Sequence, residues 1–190
     1  MKRLMRTLGV SLAAVFAFSA IAVASASAAE FTASAVGELT GEALESQVFT
    51  TNAGTVVCKN AHTTGTITST KDTEQKVTVN YSNCTALGFV DVDISTAHYN
   101  FTASGSVHVE KPITITVTVP LLTCTITVPA QTVGTVGFET VGNNVKVTPE
   151  VTGITYTTSG GLCGSGGSNG TYVGANEVHR VGGGSVAYHP

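Results

Sequence analysis

From Phe49 onward, apolar and polar residues alternate along the chain with a period of two. Successive side chains of a strand point to opposite faces, so this pattern predicts half-buried β-strands. QVFTT, GTVVCK, GTITST, QKVTVNYS, FVDVDI, AHYNFTA, GSVHVE, NVKVTPEV, GITYTT and GSVAYH are such runs, punctuated by Gly, Pro, Asn or Asp. Many short β-branched runs with frequent turn signals predict an all-β fold: an antiparallel β-sandwich of Greek-key, immunoglobulin-like or jelly-roll-like type. Only ASAVGELTGEALESQ (residues 33–47) could hold a helical turn, and its two glycines weaken it. No βαβ pattern is present, which argues against a parallel α/β enzyme fold.

The most regular stretch is PITITVTVPLLTCTITVP, from Pro112 to Pro129. Ile113, Ile115, Val117 and Val119 share one face, and Thr114, Thr116 and Thr118 the other. After Pro120-Leu121 the phase inverts, and Leu122, Cys124, Ile126 and Val128 become the apolar set opposite Thr123, Thr125 and Thr127. A one-residue slip turns every side chain over, so the chain must turn or bulge at PLL.

The first 29 residues read differently. MKRLMR is cationic, LGVSLAAVFAFSAIAVA is apolar, and SASAAEF supplies small residues for cleavage after Ala28 or Ala29. This is the layout of a secretory signal peptide, followed by a lead segment (30–48) and one domain (49–190). No later apolar run approaches the ~20 residues needed to span a bilayer, so no membrane span is expected after cleavage. The expected location is extracellular, or loosely associated with the cell envelope.

Beyond residue 29 the chain carries six bases against twelve acids, a formal balance of −6. An acidic chain with scattered bases lacks the footprint for phosphate backbones, so nucleic acid is not an expected partner. Charged residues make up only 11 % of the chain, so Thr, Ser, Asn and Gly must supply most of the polar surface.

An even cysteine count in an exported chain predicts two disulfides, with three possible connectivities. Cys58 and Cys84 flank the hairpin GTITST-KDTEQ-KVTVNYS at similar distances. Cys124 and Cys163 lie symmetrically about Asn143-Asn144, a second turn candidate. Cys58–Cys84 and Cys124–Cys163 are therefore the expected bridges. No C-x-x-C or Cys/His pair has metal-ligand spacing, and no metal or other cofactor is expected.

Candidate chemistry is sparse. Asp91 and Asp93 share a strand face, as do His108 and Glu110. Two such strands side by side would give a carboxylate/His cluster for cation binding or for hydrolysis. The Gly-rich stretch from Ser159 to Gly170 lacks the Lys-Ser/Thr of a phosphate loop. It reads as a long mobile loop stapled at Cys163. Ser159, Gly161, Ser165, Ser168 and Asn169 are its candidate contact residues. The tyrosines are scattered, with no flat aromatic platform. The Thr faces locally resemble the T-x-T arrays of ice-binding β proteins, although Thr is also a favoured strand residue.

Cys58, Tyr81 to Gly88 (YSNCTALG), Cys163 and Asn169 to Gly174 (NGTYVG) resemble the layout of a group of exported actinobacterial all-β proteins of unknown function. That resemblance implies a fold class and export, and it transfers no functional residue. The leading expectation is a non-catalytic structural or binding module with an unidentified extracellular partner. An exported hydrolase using Asp91, Asp93, His108 and Glu110 is the alternative, and ice binding through the Thr faces is a remote third.

Overall fold

The computed structural model describes residues 28–190 apart from Phe89 and Leu162. All but the last two residues of the expected leader lie outside that range. The described chain is all-β and antiparallel, with both expected disulfides formed. No helix among the described residues is long and apolar enough to cross a membrane.

The strands do not sort into two facing sheets of comparable size. Three of them, β1 (Glu30–Ala33), β5 (Lys71–Asp72) and β17 (Val186–His189), form a small sheet, and fourteen form a large one. The large sheet is organised by three long or central strands: β4 (Gly54–Ile67), β6 (Glu74–Ala86) and β14 (Asn144–Ser159). One run of pairings joins β4 to β3 (Gln47–Thr51), β15 (Gly167–Val173), β14, β11 (Leu122–Val128), β10 (Ile113–Val119), β7 (Val90–Ile94) and β6. β6 pairs β4 again, so this circuit of eight strands closes.

A second circuit uses the other halves of the same long strands. It runs from β4 through β2 (Gly37–Ala43) and β16 (Asn176–Arg180) to the start of β14. From β6 it continues through β8 (Ala97–Thr102) and β9 (Ser106–Val109) to β12 (Gln131–Gly134). The chain leaving β12 becomes β13 (Val136–Val141), which pairs with β14 and completes the circuit.

Long strands can serve two circuits because their inward phase changes midway. In β4 the buried positions run Val56, Cys58, then Ala61, Thr63 and Ile67; in β6 they run Val77, Val79, then Cys84 and Ala86. The two slips lie opposite each other, where Asn60 pairs with Ser82 and Asn83 has a φ of 52°. In β14 the phase changes at Gly153, whose φ of 74° admits a bulge between Val151 and Ile154. GTVVCK and GTITST, which read as separate strands, are therefore joined in β4, as NVKVTPEV and GITYTT are in β14.

The lead segment is woven into the domain: β1 lies between β5 and β17, and β2 between β4 and β16. The stretch that could have held a helical turn is strand β2 instead. The PLL stretch turns as its phase inversion requires. Val119 pairs with Leu122, leaving Pro120 and Leu121 as a two-residue turn. Leu121 has a φ of 72°, the conformation demanded after proline in a type II turn and costly for a branched-γ side chain. Leu121→Asn is therefore expected to raise stability by about 0.5 kcal/mol, read as a higher denaturant midpoint.

Candidate functional site: an interior cavity with a tyrosine pole

The inward faces of both circuits surround a cavity of about 160 Å³. An eight-strand closure leaves an interior just wide enough to be filled by side chains or to hold one small ligand. Most of the lining is aliphatic, including Leu39, Val77, Val79, Val107, Ile115, Val147 and Val178. Phe31, Phe101 and Phe138 add an aromatic wall. Phe31 of β1 meets Phe138 edge-on at 4.9 Å, Phe138 meets Phe101 at 6.1 Å, and Phe101 lies 5.9 Å from Tyr99. Exposed Ser69 and half-buried Thr32 and Gln75 also line the cavity. Thr32 belongs to the small sheet that covers this end, and Ser69 lies just before its strand β5.

One polar feature breaks the apolar lining. Tyr81 of β6, Tyr99 of β8 and Tyr172 of β15 each occupy an inward position of their strand. Their hydroxyls converge, with Tyr81 at 3.0 Å from Tyr99 and 3.2 Å from Tyr172. Tyr172 donates to Oε1 of Gln47, the first residue of β3. Gln47 is 2 % exposed and its amide orientation is fixed on both sides. Nε2 donates to the carbonyls of Glu45 (2.8 Å) and Ala175 (3.2 Å), so Oε1 must be the acceptor. Gly174 is required beside it, because a Cβ there would collide with the Gln47 amide. Burial pushes all three phenols well above the ordinary tyrosine range, and charge interactions among them raise the values further, while the hydrogen bonds that Tyr81 and Tyr172 accept from a neighbouring phenol act the other way. They are neutral donors and acceptors at any physiological pH.

The network is open at one end. Three hydroxyl protons serve three bonds: Tyr172 to Gln47, and one bond each between Tyr81 and its two tyrosine neighbours. With the protons pointing toward Gln47, the oxygen of Tyr99 keeps its acceptor capacity. No other arrangement makes all three bonds, because the Tyr172 proton is committed to Gln47 and Tyr81 must then donate to Tyr172. Tyr99 therefore offers a free acceptor at the edge of an apolar space.

The residues singled out from sequence fall elsewhere. Asp91 and Asp93 of β7 are exposed, as is His108 of β9. His108 stands opposite Asn100, which stands opposite Lys76 of β6, whereas Asp91 stands opposite Thr85 of the same strand. Nine residues of β6 separate those levels, roughly 30 Å of extended chain. The four groups are thus not brought together, which removes the geometry that a shared carboxylate/His site needs. Glu110 is held by Lys76 at 2.6 Å, and the Lys76 ammonium lowers its carboxyl below the usual range. His108 contacts Thr132 at 3.0 Å. Among the described residues no group of three or more His, Cys, Asp or Glu could hold a metal ion.

The Gly-rich stretch is clasped where a mobile loop was expected. Asn169 belongs to β15 and bonds Asn52 at 2.8 Å, while the buried Tyr156 hydroxyl joins both. Thr158 donates to the Gly164 carbonyl at 2.6 Å, and Cys163 is bridged to Cys124. A Cβ at Gly166 would lie 2.7 Å from the Tyr156 carbonyl, so this glycine permits close approach of backbone. Ser159, Gly161, Ser165 and Ser168 remain exposed.

The Thr faces do form a regular array. Thr114, Thr116 and Thr118 of β10 stand opposite Thr127, Thr125 and Thr123 of β11. Asp93 flanks Thr116 on one side, while on the other β14 places Thr157 beside Thr127 and Ser159 beside Thr125, so the array is regular over two strands and continues onto a third at one row. No protein-family model, curated protein or solved structure matches the chain.

Proposed function

We propose that this protein is a non-catalytic, exported binding module that holds a small, mainly apolar ligand inside the fold. The observation that carries this reading is the apolar cavity with a hydrogen-bonding network left open at Tyr99. A comparable cavity, about 150 Å³ and lined by Leu, Ile and Phe, stays dry and accepts benzene, so the space here suits a single ring or a short aliphatic chain. Tyr99, as an acceptor, would select ligands carrying one hydroxyl. The disulfides fit an oxidising compartment, in keeping with export. A hydrolase reading loses its support with the separation of Asp91 and Asp93 from His108 and Glu110. Ice binding draws support only from a Thr array that is regular over two strands and reaches a third at one row.

Calorimetry with p-cresol and toluene tests the cavity and its polar pole separately. Both compounds are expected to bind, with p-cresol the tighter. Tyr99→Phe is expected to weaken p-cresol about tenfold, the worth of one hydrogen bond, and to leave toluene unchanged. Val79→Phe, which adds volume at a lining residue, is expected to abolish both. Failure of the parent protein to bind either compound overturns the proposal.

A further inference from the structure

At the end of the molecule farthest from the small sheet, four connections come level with one another. Val56 is opposite Ala86, Ala86 opposite Val90, Val119 opposite Leu122, and Thr125 opposite Ser159. The turns after β3, β6, β10 and β14 therefore share one pole. Leu87 and Leu121 stand at two of these turns, both strongly exposed and both at positive φ (54° and 72°). Leu122, beside them, is also exposed and lies against the β14–β15 connection, where a Cβ on Gly161 would be 3.2 Å from its Cδ2. A leucine held in the left-handed region and turned to water is doubly unfavourable, a combination that marks functional sites rather than packing.

The charge pattern identifies what this pole fits. Residues 46–58, 77–90, 112–128 and 151–173 supply most of its strands and turns, and none is Asp, Glu, His, Lys or Arg; β7 adds Asp91 and Asp93 behind the β6–β7 turn. Seating such a surface in an apolar layer desolvates no charge. The charges closest along the chain are Lys59, Asp91 and Asp93, set back from the tips, and the chain as a whole is acidic, which disfavours anionic surfaces. We propose that this pole seats the protein on an uncharged, zwitterionic lipid surface, with Leu87 and Leu121 entering the acyl boundary.

Co-sedimentation with phosphatidylcholine vesicles tests this directly. The protein is expected to bind them, to bind phosphatidylglycerol vesicles less, and to keep its phosphatidylcholine binding as salt is raised. Leu87→Asn and Leu121→Asn put a residue tolerant of positive φ at each tip, so both variants fold. Each is expected to lower partitioning about tenfold. The proposal is overturned if the parent protein does not bind, if it binds as well after both substitutions, or if light scattering shows a dimer that the substitutions dissolve.

Discussion

Gln47→Leu is expected to lower the unfolding free energy by about 3–4 kcal/mol. Leucine matches the side chain in size but makes none of its hydrogen bonds. The Tyr172 hydroxyl and the Asn176 amide, which lies 3.4 Å from Oε1, lose their acceptor, and the Ala175 carbonyl loses its donor. Each of these groups sits where water does not readily replace the amide, so each loss costs most of a desolvation penalty. Gln47→Glu separates this cause from simple packing. A carboxylate would face the carbonyls of Glu45 and Ala175, so this variant should recover stability as pH falls and the carboxyl becomes a donor. Denaturant unfolding of both variants checks the pair. An effect under about 1 kcal/mol for Gln47→Leu would mean that the network is not closed around residue 47.

The second large effect is steep alkaline unfolding. Tyrosines in an unfolded chain ionise near pH 10. In the folded protein, burial raises the values of Tyr81, Tyr99 and Tyr172 well above that. Below pH 10 both states hold these protons, so the groups add no pH dependence. Above it the unfolded state binds fewer protons than the native one, and stability falls as pH rises. Three retained protons correspond to a slope of about 4 kcal/mol per pH unit. Lys76, raised by its hydrogen bond and charge interaction with Glu110, acts in the same direction, but it is exposed and screened. Denaturant midpoints measured upward from pH 8 should therefore drop sharply past pH 10, and Tyr99→Phe should remove about one third of the slope. A slope that Tyr99→Phe leaves unchanged would contradict the shared burial of the three phenols.

Local structure was legible in the sequence where a short-range rule governs it. The inversion at Pro120-Leu121 required a turn and received one. Cys58 and Cys84 stand opposite each other because β4 and β6 form the expected hairpin. The other bridge has a different origin. The second turn lies at Gly142-Asn143, where Val141 pairs with Asn144. Cys124 reaches Cys163 because β11 lies beside the far half of β14, after the chain has detoured through β12 and β13. The closed circuits were not legible, since they depend on β14 pairing with β11, β13, β15 and β16 over different stretches. Period-two patterning fixes a face, and it is silent about which strand lies alongside.

The site itself left a faint signal. Tyr81 is in phase with Val77 and Val79, Tyr99 with Ala97 and Phe101, and Gln47 with Phe49. Polar-tipped residues in an apolar phase point inward and need partners. They look scattered in sequence because their meeting depends on four strands drawn from distant parts of the chain. The Asp and His pairs gave the opposite signal. They alternate with buried valines, and so belong to the outer face on which they are found.

The most direct test of the interior site is a crystal of the protein soaked with 4-bromophenol, read by the anomalous signal of bromine. The binding account predicts one strong bromine peak inside the circuit, among Val79, Val107 and Ile115, with the phenol oxygen within hydrogen-bonding distance of Tyr99. Bromine found only on the outer surface, around an interior filled by its own side chains, would contradict it.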